Sequence, residues 1–426
     1  MGKPPLVAIF MRYQPIDPAL FVENRARLAA KLKPGSLAVF VSNDVMPTSA
    51  DGTLLFSQSS DLFWLTGVDQ EETALILFPD APDPADREIL FTRETSELIR
   101  IWEGDRLTQE QAAQASGVGK ALWTSAFETE LRRLMKQTTS VYLNANEHPR
   151  AAREVQTREE RFMDHCQTLY PRHRYERVAP LLYELRAIKS EAEIALIQEA
   201  CNITEKGFRR VLQFVKPGVH EFEIEAEFLH EFLIHRSRGF AYSPIIASGE
   251  NACVLHYLAN DAPCQSGELL LMDVAAEYAN YNSDLTRTIP VNGQFTERQK
   301  AVYNSVLNVF KACRDQLLRP DLDAREYQKQ VGQLMEAELL SLGLLDATKV
   351  AGERAQDGTE DEMKEEQRSY RQYFMHGTSH SLGLDVHDVT SADRMFREGM
   401  VQTIEPGIYL RDEGFGVRIE NDVVIR

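Results

Sequence analysis

The residues best equipped for chemistry crowd into Met375–Asp388, MHGTSHSLGLDVHD, which holds His376, His380 and His387, three of the ten histidines. A zinc-protease helix would need a glutamate between two histidines one turn apart. Gly377, Thr378 and Ser379 stand there instead, and Gly383 follows soon after, so a rigid helix is not expected. Taken alone, the three histidines also read as ordinary polar residues of a loop.

Two pairs of carboxylates give them a context. Asp273 and Asp284 lie in ELLLMDVAAEYANYNSDLTRTIPV, a strand–turn–strand pattern with its turn near Glu277–Asn280. Opposed positions in an antiparallel hairpin have a constant sum, so a turn centred between 278 and 279 sets Asp273 opposite Asp284. A turn at Arg411–Gly414 likewise sets Glu405 opposite Glu420 in VQTIEPGIYLRDEGFGVRIENDVVI. Directly opposed side chains have Cβ atoms about 4.5–5.5 Å apart, and like charges there are destabilising. Between apolar flanks such as LLLM and VVI, these acids call for a counter-charge, which metal cations would supply. Two alternatives stay open: the hairpins point the acids to solvent, or Arg287 and Arg418 pair with them.

Oxygen ligands with one imidazole suit two divalent ions of intermediate hardness. Two such ions about 3.5–4 Å apart can hold a hydroxide nucleophile between them. His380 is the expected nitrogen ligand. His256, in ASGENACVLHY, and His387 could polarise a bound carbonyl or steady a tetrahedral intermediate. His256 reads equally well as a core or surface histidine.

These groups need a scaffold. At 426 residues the chain predicts two domains. Short β-rich runs at Ser36–Ser42, Thr73–Phe78 and Glu88–Thr92, with a helical pattern at Phe21–Leu32, make the first part an α/β domain. The polar passage Pro171–Arg177 is the expected boundary, giving domains 1–175 and 176–426. Beyond it, Ser190 with Glu193 forms a capping box that opens a helix towards Val215, closed by Pro217 and Gly218. A second helix is expected over Glu221–Arg236. Thr296 with Gln299 starts a third, to about Leu318, and a fourth spans Ala324–Ser341. Strands are expected at Ser243–Ala247 and Glu268–Ala275, and an acidic segment at Asp346–Arg368 reads as solvated.

Composition narrows the function. Apolar content of 43% and charged content of 26% are those of a soluble globular protein. A net charge of −18 argues against nucleic acid as a partner. Five scattered cysteines without a C-x-x-C pair suggest neither a disulfide framework nor a thiolate zinc site. The apolar run Leu6–Met11 is too short for a signal-peptide core, and no run approaches membrane-spanning length. A cytoplasmic protein is expected.

The passages ASGENACVLHY, MDVAAEYANYNSDLTRTIPVNGQFT, FMHGTSHSLGLDVHDV, TIEPGIYL and GVRIEND, in that order, resemble the metallopeptidase family of Xaa-Pro aminopeptidases (aminopeptidase P) and prolidases. SQSSDLFWLTGVDQEETALILFPD and IWEGDRL resemble the N-terminal domain of that family. The resemblance implies an α+β protein, a pita-bread (creatinase/aminopeptidase-like) catalytic domain preceded by a smaller α/β domain. It makes Asp273, Asp284, His380, Glu405 and Glu420 the ligands of two divalent ions, most often Mn2+, with Co2+ or Zn2+ able to substitute. Glu405 would also shuttle a proton to the leaving nitrogen. His256 and His387 would contact substrate, with His376 in support and Arg418 as a nearby charge. Trp102 reads by itself as core or surface packing; the resemblance places its passage near a neighbouring subunit's active site and so implies a homo-oligomer, dimer or tetramer. Family members usually continue beyond the position of Arg426.

The implied activity is removal of the first residue from peptides with proline second. The alternatives are a prolidase, which takes only Xaa-Pro dipeptides, and a catalytically inactive peptide-binding protein of the same fold. A two-metal phosphoesterase would need a basic phosphate clamp that is not evident.

Overall fold

The structure, a computed structural model, describes residues 12–151, 154–356 and 364–426. The apolar run Leu6–Met11 and residues 357–363 of the acidic segment lie outside them. By internal contacts the chain divides into two compact units, between Arg186 and Ala187.

The first unit is built on a six-stranded mixed sheet, ordered Ala121–Trp123, Glu88–Thr92, Ala74–Leu77, Ser36–Val41, Ser140–Leu143, Arg174–Arg177. The two central strands are buried at every residue, which is why their sequences are unbroken β-rich runs rather than alternating ones. Leu37, Val39, Ile76, Phe91, Leu131 and Leu134 share the core on one side. The boundary expected at residue 175 is displaced. The passage there is polar because Arg174–Arg177 is the sheet's exposed edge strand, a position where charged side chains discourage further pairing. The unit ends only with the helix that follows, and the division falls after Arg186.

The second unit opens with the Ser190 capping box and the helix Glu191–Phe214. The helix Glu221–Ile234 packs against it at Gly207, where a Cβ would stand 2.7 Å from Phe232 and 2.9 Å from Phe228. Only glycine allows so close an approach. The strands Ile245–Ser248, Leu269–Asp273 and Thr286–Pro290 form an antiparallel sheet with Leu269–Asp273 in the middle. Two further ribbons pair Val401–Ile404 with Asn421–Val424 and Gly407–Leu410 with Phe415–Arg418. The helices Glu297–Ala312 and Ala324–Ser341 close over a core containing Val306, Val331, Met335, Ile404, Ile408 and Val417. The first of them was expected to reach Leu318. It widens at Cys313–Leu317 into a turn in which Leu318 N–H donates to the Cys313 carbonyl at 2.9 Å. Helices and antiparallel ribbons of this kind, preceded by the first unit, make an α+β protein.

Candidate metal centre

Nine of the second-half residues singled out above line one cavity of about 320 Å³: His256, Asp273, Asp284, His376, His380, His387, Glu405, Arg418 and Glu420. Different elements deliver them. Asp273 ends the central strand, and Asp284 stands beyond a tight turn. That turn centres on Ala279 and Asn280, both in the left-handed region (φ 53° and 67°), as a two-residue hairpin turn of type I′ requires. Its centre lies between 279 and 280, one position later than the expected one. Asp273 therefore faces Thr286 and not Asp284, a correction to the expected register. The slip is two positions, so both acids stay on one face, and the Tyr242 hydroxyl lies 2.5 Å from Asp273 and 2.7 Å from Asp284.

The second pairing holds. Pairs such as Ile404–Asn421 and Gly407–Arg418 share the constant sum that puts Glu405 opposite Glu420 across the break between the two ribbons. His380 is held by an extended stretch, without helix, that runs beside Val401–Glu405. Thr403 N–H donates to the His380 carbonyl at 2.9 Å, and Glu405 N–H to that of Thr378 at 2.8 Å. This borrowed ladder carries the imidazole towards the acids, with Nε2 at 3.4 Å from Asp284 and 3.5 Å from Glu405.

The acids do not point to solvent: Asp284 and Glu420 are 5% and 2% exposed. Arginine pairing is partial. Arg418 donates to Asp273 at 2.6 Å, to the Tyr409 hydroxyl at 2.8 Å and to Thr286 at 3.1 Å. Arg287 goes to the backbone carbonyl of Glu420 and to Asn421. Among the described residues, no lysine or arginine lies within ion-pair distance of Asp284, Glu405 or Glu420. Burial, reinforced by Asp284 and the other acids, pushes Glu420 well above the usual carboxylate range. Burial likewise holds Glu405 up at about 7, against the pull of His380. Burial alone would depress His380, but Asp284 and Glu405 outweigh it and raise it to about 9. His376 goes the other way, to about 3, through burial and the positive Arg418.

Such a cluster has the chemistry of a cation site. Ligand atoms of Asp284, His380 and Glu420 lie within 4.8 Å of one another. His380 Nδ1 sits 3.1 Å from the Ser381 carbonyl, which leaves Nε2 to face the acids. His380 and His387 meet edge to face at 4.3 Å, and His387, like His256, is exposed at the cavity mouth. His376 is set back, with Nε2 2.8 Å from the Tyr409 hydroxyl and Nδ1 3.7 Å from Glu405.

Three residues escaped sequence reasoning. Tyr242 and Tyr409 carry no spacing signal. Asp422 follows Glu420 by two positions, accepts Asp284 N–H at 2.9 Å, and is raised by burial and by Asp284 to about 8.

Residues 195–426 match the model of metallopeptidase family M24, and residues 21–142 that of the aminopeptidase P N-terminal domain. The chain belongs to the M24 family. Membership makes it a hydrolase of the metallo-aminopeptidase kind that uses divalent metal ions, with a pita-bread catalytic domain. The M24 chain is 34% identical to the Xaa-Pro aminopeptidase of Escherichia coli over 95% of its own length and 92% of that protein. It is 36% identical to the Xaa-Pro aminopeptidase of Haemophilus influenzae, covering 95% and 91%. Its fold superposes on proline aminopeptidase P II of Yersinia pestis with a TM-score of 0.82 at 34% identity, covering 96% and 94%. The zinc-substituted E. coli aminopeptidase P in complex with product gives a TM-score of 0.82 at 32% identity, covering 97% and 93%.

Trp102 lies in the other unit, 80% exposed on the helix Glu97–Glu103 beside Leu98 and Ile101, which are 65% and 72% exposed. No helix among the described residues is long and apolar enough to cross a membrane.

Proposed function

We propose that this M24 protein removes the N-terminal residue from peptides whose second residue is proline, using two divalent ions held by Asp273, Asp284, His380, Glu405 and Glu420. The observation that carries the reading is the buried cluster of four carboxylates and an imidazole, with histidines at its mouth, in a chain whose relatives are Xaa-Pro aminopeptidases. Each oxygen-rich half of the cluster can serve one ion, and one imidazole among carboxylates favours manganese, with cobalt or zinc as substitutes. When bound, the ions would supply Lewis acidity and a water acidic enough to lose its proton near neutral pH.

The chain's own groups do the rest. Glu405 stands between His380 and His376 and is placed to take a proton from the attacking water and return it to the departing proline nitrogen. His256 and His387, exposed at the mouth, reach the peptide carbonyl and stabilise its developing charge. Arg418 and His376 fix Asp273 and Tyr409 around them. Proline's ring and tertiary amide would rest against the apolar part of the wall, where Ile245, Leu255 and Val386 lie.

The first unit then serves as the aminopeptidase P N-terminal domain. The exposed Leu98, Ile101 and Trp102 support self-association, since apolar groups side by side on a surface favour a partner. Five free cysteines fit a reducing, cytoplasmic setting.

A prolidase would cleave only the dipeptide. Metal-depleted protein, with and without manganese, is assayed on an Xaa-Pro dipeptide and an Xaa-Pro-Xaa tripeptide. Metal-dependent release of the first residue from the tripeptide supports the aminopeptidase. Cleavage of the dipeptide alone reassigns the protein as a prolidase, and no cleavage of either as a binding protein.

A further inference from the structure

His256 sits in a loop from Ser248 to Ala262 whose one regular element is the short 3-10 turn Gly249–Cys253. A side chain outside the cavity holds this loop. Glu221, the first residue of the helix Glu221–Ile234, is 0% exposed. Its Oε1 accepts from Ser248 N–H at 2.7 Å, the Ser248 hydroxyl at 2.8 Å and Asn251 Nδ2 at 3.3 Å. Its Oε2 accepts from the Tyr257 hydroxyl at 2.9 Å and from Ala262 N–H at 3.0 Å.

The five donors come from four places: both ends of the loop, its first turn, and the residue next to His256. Among the described residues no cationic side chain forms an ion pair with Glu221. A buried acid is costly unless its acceptor capacity is used, and here the five donors of the loop use it. Deforming the loop would strand several of these bonds together, so the carboxylate acts as a rigid node.

We propose that Glu221 is a positioning residue for His256, tying its loop at four points and so fixing the imidazole at the cavity mouth. The inference rests on the peptidase reading, in which His256 touches substrate. Glu221→Gln keeps the shape but turns an NH2 group towards donors that need an acceptor.

The test is a double-mutant cycle on the manganese-loaded full chain, with an Xaa-Pro-Xaa tripeptide, accompanied by hydrogen exchange. Glu221→Gln is expected to lower kcat/KM by about 10- to 100-fold, the scale of a misplaced catalytic group. In a His256→Ala background the same change should cost no more than about twofold, because the group it positions is gone. Exchange should rise in residues 249–262. Tyr257→Phe, which removes one bond of the five, should lose about threefold and show the same dependence on His256, so the proposal is testable even if Glu221→Gln folds poorly. Equal losses in both backgrounds, or unchanged exchange in the loop, would overturn it. An inactive parent protein would count against the peptidase reading, while the exchange comparison would still decide whether Glu221 holds the loop.

Discussion

Glu405, Asp422 and His380 hold protons further into the alkaline range than the same groups would in an unfolded chain. Burial lifts Glu405 from 4.5 to about 7 and Asp422 from 3.8 to about 8. His380, despite burial, rises from 6.5 to about 9 beside Asp284 and Glu405. A raised folded-state pKa means that the folded protein binds more protons between the two values, so stability falls as pH rises through that window. His376, lowered to about 3, acts in the opposite direction, but its contribution is complete by about pH 6.5. Metal-stripped protein should therefore lose thermal stability from pH 6.5 to 8. Manganese, which replaces protons at its ligands, should raise the Tm more at pH 8 than at pH 6.5. Thermal scans at the two pH values check this; a stripped-protein Tm that is flat or rising contradicts it. For catalysis, Glu405→Gln should lower kcat by about 100-fold or more, the usual worth of a placed proton carrier, as steady-state kinetics at matched metal content would show. That Asp273, Asp284, Glu405 and Glu420 belong together was legible, because carboxylates flanked by apolar strands demand compensation. Tyr242, whose hydroxyl meets Asp273 and Asp284, and Tyr409, whose hydroxyl meets Arg418 and His376, were not, because such hydroxyls look in sequence like those of any core tyrosine.

Element positions followed from local rules where the rules were local. The Ser190 and Thr296 capping boxes mark the helix starts as expected. The Glu405–Glu420 register followed from its turn, where Gly414 takes the left-handed conformation (φ 70°). The Asp273–Asp284 register did not, because neither Ala279 nor Asn280 is glycine and nothing in YANY singles out the pair that adopts positive φ. What holds the His380–His387 stretch was also hidden. Lys189, one residue before the Ser190 cap, reaches Asp388 at 3.0 Å, with both side chains almost wholly buried (1% and 2%). The pair is 199 positions apart in sequence, by subtraction of residue numbers. It anchors the loop to the start of the helix, and Gly383 leaves the space, since a Cβ there would stand 2.2 Å from Asp388. Lys189→Met removes the cation of this buried pair and should cost about 3–5 kcal/mol. Urea denaturation checks this, and a loss below about 1 kcal/mol would mean that the pair is not what secures the loop.

At the scale of the molecule, two units share the work: the second gathers every candidate ligand, and the first presents an apolar helix face. The boundary was misjudged because a polar edge strand imitates a linker. Trp102, Ile101 and Leu98 give that helix face a reason to meet another copy. Trp102→Glu should shift the mass measured by light scattering from a multiple of 48.4 kDa towards the single chain, and an unchanged mass would exclude this face from self-association. The buried carboxylate–histidine cluster is expected to make activity depend on bound metal. Metal-depleted protein is titrated with manganese while release of the first residue from an Xaa-Pro-Xaa tripeptide is followed. Activity that is absent at the start and saturates at about two equivalents is the predicted result. Hydrolysis by the stripped protein, or none at any manganese concentration, would contradict it.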